Sequence, residues 1–213
     1  MAGIVAALAL AAPAMAEEVV IAALGDSLTQ GFGLPQEDGF VPQMEGWLRE
    51  RGHDVRLINA GVSGDTTAGG LSRVGWTLTP EVDGMIVALG GNDLLRGIDP
   101  EVSRANLDGI VAAAQEAGVE VLLVGLEAPG NYGPDYKAEF EAIFPSLAET
   151  YDTLLAERFL AGLTEARDKG AAVSELMQPD GIHPSARGVE LIVDALGPFV
   201  EELVARAGDT ADG

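Results

Sequence analysis

Val19-Val20-Ile21-Ala22-Ala23-Leu24-Gly25-Asp26-Ser27-Leu28-Thr29-Gln30-Gly31 is the stretch on which the fold of this chain turns. Its unbroken apolar start reads as a buried β-strand, because a strand covered on both faces needs no polar alternation. The strand empties into Gly-Asp-Ser. Glycine lets the backbone turn sharply without a Cβ clash, and Asp and Ser can bond nearby backbone N–H groups and start a helix. Such a turn holds one hydroxyl at the edge of a sheet, which makes Ser27 a candidate nucleophile. Taken alone, the same stretch describes a helix cap without chemistry equally well, so the rest of the chain decides.

The strand–turn–helix pattern recurs along the sequence. Phe40, Val41, Met44, Trp47 and Leu48 fall at helical spacing, with Gly52 beyond them as a C-terminal stop. A second strand over 55–58 ends in Asn59-Ala60-Gly61-Val62-Ser63-Gly64-Asp65-Thr66-Thr67, where Asp65 or a neighbouring Thr caps a helix carrying Leu71, Val74 and Leu78. Asp83-Gly84 opens a third strand over 85–89, which ends in Gly90-Gly91-Asn92-Asp93. A helix over 100–117 precedes a fourth strand over 119–124 and a Pro/Gly-rich loop over 126–133. Tyr136, Phe140, Ile143, Phe144 and Leu147 mark the next helix. A short fifth strand is read over 153–155 and a helical segment over 159–167. The last helix follows Asp180-Gly181-Ile182-His183-Pro184-Ser185 and carries Leu191, Ile192, Ala195, Leu196, Phe199 and Leu203 on one face; the tail beyond Arg206 is expected to fray. Short apolar strands alternating with helices predict an α/β fold with a parallel sheet covered on both faces. Ligands bind at the carboxyl ends of such strands, so the turns at Ser27, Gly64 and Asn92 belong on one rim.

The chain has 213 residues, enough for one domain with a sizeable core, and no linker or internal repeat interrupts it. Residues 1–16 stand apart: an uncharged apolar stretch over 4–12, then Pro13 and the small-x-small signature Ala14-Met15-Ala16, then Glu17-Glu18. This reads as a secretory signal peptide, too short to span a membrane, although its n-region lacks Lys and Arg. Residues 17–213 then form the single exported domain, periplasmic or secreted and without stable membrane insertion. A formal net charge of −22 repels nucleic acid and anionic head groups and disfavours polyanionic substrates such as coenzyme A esters. Cysteine is absent, which excludes disulfides, cysteine nucleophiles and thiolate metal sites.

Ser27 is a poor nucleophile without an adjacent base. Of the two histidines, His53 lies in a helix-to-strand turn on the opposite rim and reads as a solvated surface residue. His183 sits across a turn from Asp180, whose carboxylate can reach the imidazole N–H and fix its tautomer, leaving the other ring nitrogen for the Ser27 proton. Acyl transfer also needs donors aimed at the developing oxyanion. The Ser27 N–H and the Gly64 N–H are candidates, with Gly61 as the rival to Gly64, and the Asn92 amide is a third. Asp26, Asp93, Ser63 and Thr66 read as organisers of turns.

Together the blocks Gly25-Asp26-Ser27-Leu28, Gly64, Gly90-Gly91-Asn92-Asp93 and Asp180-Gly181-Ile182-His183-Pro184 resemble the GDSL, or SGNH, hydrolases. The loops Asn92-Asp93-Leu94-Leu95-Arg96-Gly97 and Pro129-Gly130-Asn131-Tyr132-Gly133 resemble the bacterial acyl-thioesterase, lysophospholipase and arylesterase branch. The resemblance implies a flavodoxin-like three-layer α/β/α sandwich with a central, mainly parallel five-stranded sheet and no metal or other cofactor. It implies Ser27 as nucleophile, His183 as base, Asp180 as its orienter, and Ser27, Gly64 and Asn92 as the oxyanion hole. Leu94, Leu95, Ile98, Leu126 and Tyr132 are candidates to line the acyl groove of a monomeric enzyme acting on small acyl esters or lysophospholipids. Metal-dependent phosphoester hydrolysis, a carbohydrate O-deacetylase and a non-catalytic binding protein are the alternatives.

Overall fold

The computed structural model describes residues 18–211. The leader expected over residues 1–16 lies outside the described residues. In chain order the elements are β1 (Val19–Gly25), α1 (Ser27–Gln30), α2 (Phe40–Glu50), β2 (Val55–Gly61), α3 (Thr67–Thr77), β3 (Gly84–Ala88), α4 (Gly91–Arg96), α5 (Pro100–Glu116), β4 (Glu120–Val124), α6 (Pro134–Tyr151), β5 (Leu154–Ala156), α7 (Ala161–Asp168), α8 (Val173–Leu176) and α9 (Ala186–Ala211). The five strands form one sheet in the order β2-β1-β3-β4-β5, every pair parallel. The sheet expected to be mainly parallel is therefore wholly so.

The apolar runs of the central strands serve two separate cores. Ile21, Ala23, Ile86, Ala88, Leu122 and Val124 point to one face, where Phe40, Val41, Met44 and Leu48 of α2 pack with α9. Val20, Ala22, Leu24, Met85, Val87, Val121 and Leu123 point to the other, against Leu107 and Ile110 of α5 and Phe140 and Phe144 of α6. Alternate residues of each strand thus enter opposite layers, and the three-layer α/β/α sandwich follows. The chain passes from β1 to β2 on one side, then returns to place β3 on the other side of β1. The crevice between β1 and β3 is the switch point where doubly wound sheets bind ligands. Ser27 and Asn92 stand at its two lips.

Two expectations for α9 are corrected. The helix does not fray after Arg206 but runs to Ala211, with Ala207 fully buried beside the start of the sheet. Phe199 is 41% exposed, and the buried stripe runs instead through Val189, Ile192, Val193, Leu196, Val200, Leu203 and Val204. His53 is not simply solvated either. Its Nε2 lies 2.6 Å from Glu201 Oε1, tying the α2–β2 turn to α9. No helix among the described residues is long and apolar enough to cross a membrane.

Candidate active site

The Ser27 turn is built on close approach. A Cβ on Gly25 would stand 2.0 Å from Thr29 Oγ1 and 3.0 Å from the Ala88 carbonyl, so only glycine fits there. Asp26 caps α1, its Oδ1 accepting the Leu28 N–H at 3.0 Å. Gly31, at φ 84°, ends the helix after a single turn. Burial pushes the Asp26 carboxyl above its ordinary value, against the opposing pull of the Leu28 N–H and the Asn92 amide. Asp26 therefore organises the turn, as expected.

His183 arrives from the far end of the chain. A bridge between Met177 and Pro184 closes the segment that carries it, and the Gln178 N–H donates to the His183 carbonyl at 2.8 Å. The Gln178 side chain spends both amide hydrogens across the two halves of the site, donating from Nε2 to Phe32 O at 2.7 Å and Pro184 O at 2.9 Å. The Phe32 ring packs on the imidazole, centroids 4.6 Å apart. Asp180 Oδ1 accepts the Ile182 and His183 backbone N–H groups at 2.9 and 3.0 Å. Its Oδ2 lies 2.6 Å from His183 Nδ1, and His183 Nε2 lies 2.9 Å from Ser27 Oγ. A carboxylate only accepts, so Nδ1 carries the proton and donates to Asp180, and Nε2 accepts from the Ser27 hydroxyl. The His183 hydrogen bond, with the two backbone N–H groups, lowers the Asp180 carboxyl to about 2.

The structure distinguishes the two glycines that compete as donors. Gly61 lies in β2 with its N–H spent on Asn59 Oδ1 at 3.0 Å. Gly64, at φ 83°, lines the cleft beside Ser27, and no acceptor takes its N–H among the described residues. Of the caps expected for α3, Asp65 or a neighbouring Thr, the structure selects a threonine. Thr66, not Asp65, caps α3 by accepting the Gly69 N–H, while Asp65 turns inward to Arg73 at 2.6 Å. Thr has the shorter reach and sits at the residue directly preceding the helix; Asp65 has a partly buried cation to satisfy. Ser63 bonds to the Gln30 side chain. Asn92, in the first turn of α4, donates from Nδ2 to Asp26 Oδ2 at 3.2 Å and so stands across the crevice from Ser27. Asp93 is fully buried and accepts from Thr67 N, Thr67 Oγ1 and Ser103 Oγ at 2.9, 2.6 and 3.0 Å, joining α3, α4 and α5.

These groups open on a cleft of about 620 Å³. Leu94, Leu95, Leu126 and Tyr132 line it as expected; Ile98 does not. Gly97, in the left-handed region at φ 61°, turns the chain away after α4, and the Ile98 carbonyl accepts the Tyr136 hydroxyl at 2.8 Å instead. Sequence reasoning missed Leu28, Phe32, Leu160 and Ile182 in the lining. Leu28 and Ile182 directly adjoin Ser27 and His183 and were open to inference; Leu160 follows β5, and only the sheet order brings it here. Among the described residues no group of three or more His, Asp or Glu side chains is arranged to hold a metal ion.

A switch-point crevice with a linked Asp, His and Ser at its lip is an arrangement that can carry the chemistry of serine hydrolases. The comparisons agree. The model of the GDSL-like Lipase/Acylhydrolase family matches residues 23–191, and the chain belongs to that family. It is 34% identical over 205 residues to Esterase TesA of Pseudomonas aeruginosa, covering 96% of this chain and 98% of that protein. It is 34% identical over 200 residues to an arylesterase of Vibrio mimicus, covering 92% and 91%. Among solved structures, AlinE4, an SGNH-hydrolase family esterase, superposes with a TM-score of 0.71 at 44% identity, covering 89% of this chain and 98% of that one. The protein is a serine ester hydrolase.

Proposed function

We propose that Ser27 is the nucleophile, His183 the general base and Asp180 the residue that orients it. The single observation that carries this reading is the unbroken link from Asp180 Oδ2 through the imidazole to Ser27 Oγ, at 2.6 and 2.9 Å, beside an apolar cleft. Ser27 Oγ attacks the ester carbonyl carbon while its proton passes to Nε2. The carbonyl oxygen takes the negative charge and is met by the Ser27 and Gly64 N–H groups and the Asn92 amide. The tetrahedral intermediate collapses, Nε2 returns the proton to the leaving alcohol, and water repeats the sequence on the acyl-serine to release the acid. Asn92→Ala is expected to lower kcat on the order of 10²–10³-fold with little change in folding. A loss below about threefold in steady-state kinetics would leave Asn92 as a turn residue only.

The substrates proposed are aryl and short-to-medium acyl esters or lysophospholipids, ranked above acyl-coenzyme A. Leu28, Phe32, Leu94, Leu95, Leu126 and Ile182 make the cleft apolar, and neither Lys nor Arg stands among its lining residues to meet a polyphosphate. The net charge of −22 opposes a polyanion in the same sense. The arylesterase name of one relative points the same way. An O-deacetylase acting on carbohydrate fits this lining less well. The test is a panel of p-nitrophenyl esters of graded chain length, lysophosphatidylcholine, an acetylated sugar and palmitoyl-coenzyme A. Higher kcat/KM for palmitoyl-coenzyme A than for the aryl esters would overturn the ranking. The leader reading completes the proposal: the apolar stretch over 4–12 and Ala14-Met15-Ala16 support export and removal of residues 1–16. Sequencing of the exported protein is expected to begin at Glu17.

A further inference from the structure

Beneath the reactive rim lies a guanidinium that the chemistry above does not use. Arg73, on α3, donates from Nε to Asp65 Oδ2 at 2.6 Å, from Nη1 to the Ala60 carbonyl at 2.7 Å and from Nη2 to the Gly25 carbonyl at 2.9 Å. The Arg73 and Asp65 side chains are only 16% and 18% exposed. The carboxylate has room because Gly69 lacks a side chain; a Cβ there would stand 2.2 Å from Asp65 Oδ1. Ala60 and Asp65 bracket the loop that carries Gly64, and Gly25 ends the strand that feeds Ser27.

The ladder between β1 and β2 stops at the Gly25–Gly61 pair, and the Gly25 carbonyl also accepts the Val62 N–H at 3.0 Å. Beyond that point side chains fix Gly64 relative to Ser27. Gln30 holds Ser63 from the α1 side, and the exposed Arg96 donates from Nη2 to the Gly64 carbonyl at 2.9 Å. Among the described residues Arg73 alone grips both ends of the loop and the end of β1 together. Its planar fork meets three acceptors in fixed directions, which an ammonium cannot do.

We propose that Arg73 is a positioning residue that sets the separation and aim of the two backbone donors, the Ser27 and Gly64 N–H groups, toward the substrate oxyanion. The inference rests on the reading of those groups as donors given under Proposed function. Oxyanion stabilisation works only when donors stand at about 2.7–3.1 Å from where the charge develops, so a small relaxation of the loop acts on the transition state and not on ground-state binding.

The test is Arg73→Lys with a trifluoromethyl ketone ¹³C-labelled at its carbonyl. Ser27 Oγ adds to the ketone carbon, its proton passes to His183 Nε2, and the carbonyl π pair becomes the charge on the hemiketal oxygen. NMR titration then reports how readily that oxygen ionises. In the wild type it is expected to be ionised at neutral pH; a neutral hemiketal there would overturn the donor reading itself, and this proposal with it. In Arg73→Lys the ionisation is expected to move to higher pH, kcat to fall about 30–100-fold and KM to stay within about threefold. A wild-type hemiketal titration in the folded variant, whatever the rate, overturns the proposal while leaving the donor reading intact, because a merely structural arginine would not move it. Should Arg73→Lys fail to fold by thermal melting, Asp65→Asn is titrated in its place. It keeps an oxygen for Nε but weakens the grip, so a shift in the same direction is expected and an unchanged titration overturns the proposal.

Discussion

Ser27→Ala is expected to lower kcat on the order of 10⁵–10⁶-fold, leaving only what the cleft and the oxyanion donors supply without a nucleophile. The size of the loss follows from the mechanism: with no Oγ there is no covalent intermediate, and His183 can at best activate a misplaced water. The fold has no reason to change. Ser27 is the first residue of α1, its side chain bonds among the described residues only to His183 Nε2, and alanine is well suited to a helical position. Stability is therefore expected to stay within about 0.5 kcal/mol of the wild type. A fluorophosphonate is expected to label the wild type at Ser27 and to label neither Ser27→Ala nor, at any comparable rate, His183→Ala. Retention of more than about 1% of activity by folded Ser27→Ala would assign the nucleophile elsewhere.

Asp180→Asn is expected to cost about 10⁴-fold in kcat. The asparagine can keep one oxygen on the Ile182 and His183 backbone N–H groups, so the turn survives. Its amide nitrogen then faces Nδ1, a donor against a donor, and the ring escapes the clash by moving its proton to Nε2, where the base must be empty. The pH behaviour separates this role from a general acid. Asp180 is held at about 2, chiefly by the His183 hydrogen bond and then by the backbone N–H groups, so it is ionised throughout the working range. A lowered carboxyl stabilises the fold above its ordinary value of 3.8 and loses that contribution as pH falls through about 2. Stability drawn from this pair is accordingly expected to decay between about pH 4 and pH 2. No step from the Asp180 carboxylate is expected in the kcat/KM profile above about pH 4, and one there would contradict this role.

Much of the site was legible because parallel sheets sort chemistry by position. The apolar runs ending in Gly25 and Leu89 are strands without polar alternation, the edge strand ending in Gly61 carries Arg56 and Asn59 among apolar residues, and each strand is followed by a turn, so Ser27, Gly64 and Asn92 had to share a rim. Asp180 and His183 were legible from local turn chemistry. What escaped notice depends on contacts far apart in sequence. Arg73 sits in an unremarkable stretch of α3, and its acceptors are backbone carbonyls that carry no residue signature. Asp65 and a neighbouring Thr were both open as caps, and the choice of Thr66 follows from the pull of that partly buried cation on Asp65. Ile98 left the cleft through the positive φ of Gly97, which composition does not announce, and Leu160 entered it through the placement of β5 at the sheet edge. Phe199 fits the helical period but falls on the flank of the stripe that α9 presents to the sheet.

The hydrogen bond between Ser27 and His183 joins residues 156 apart in sequence. The proposed nucleophile is thus encoded near the start of the domain and its proposed base just before the last helix. A growing polypeptide holds the serine, the crevice and most of the sheet long before it holds anything able to take the serine's proton. On the reading of these two residues given above, ester hydrolysis is expected only once the turn carrying His183 has docked, a closure over 156 residues. Turnover consequently reports completion of the whole chain, and fragments ending before His183 are expected to be silent however well their strands pair.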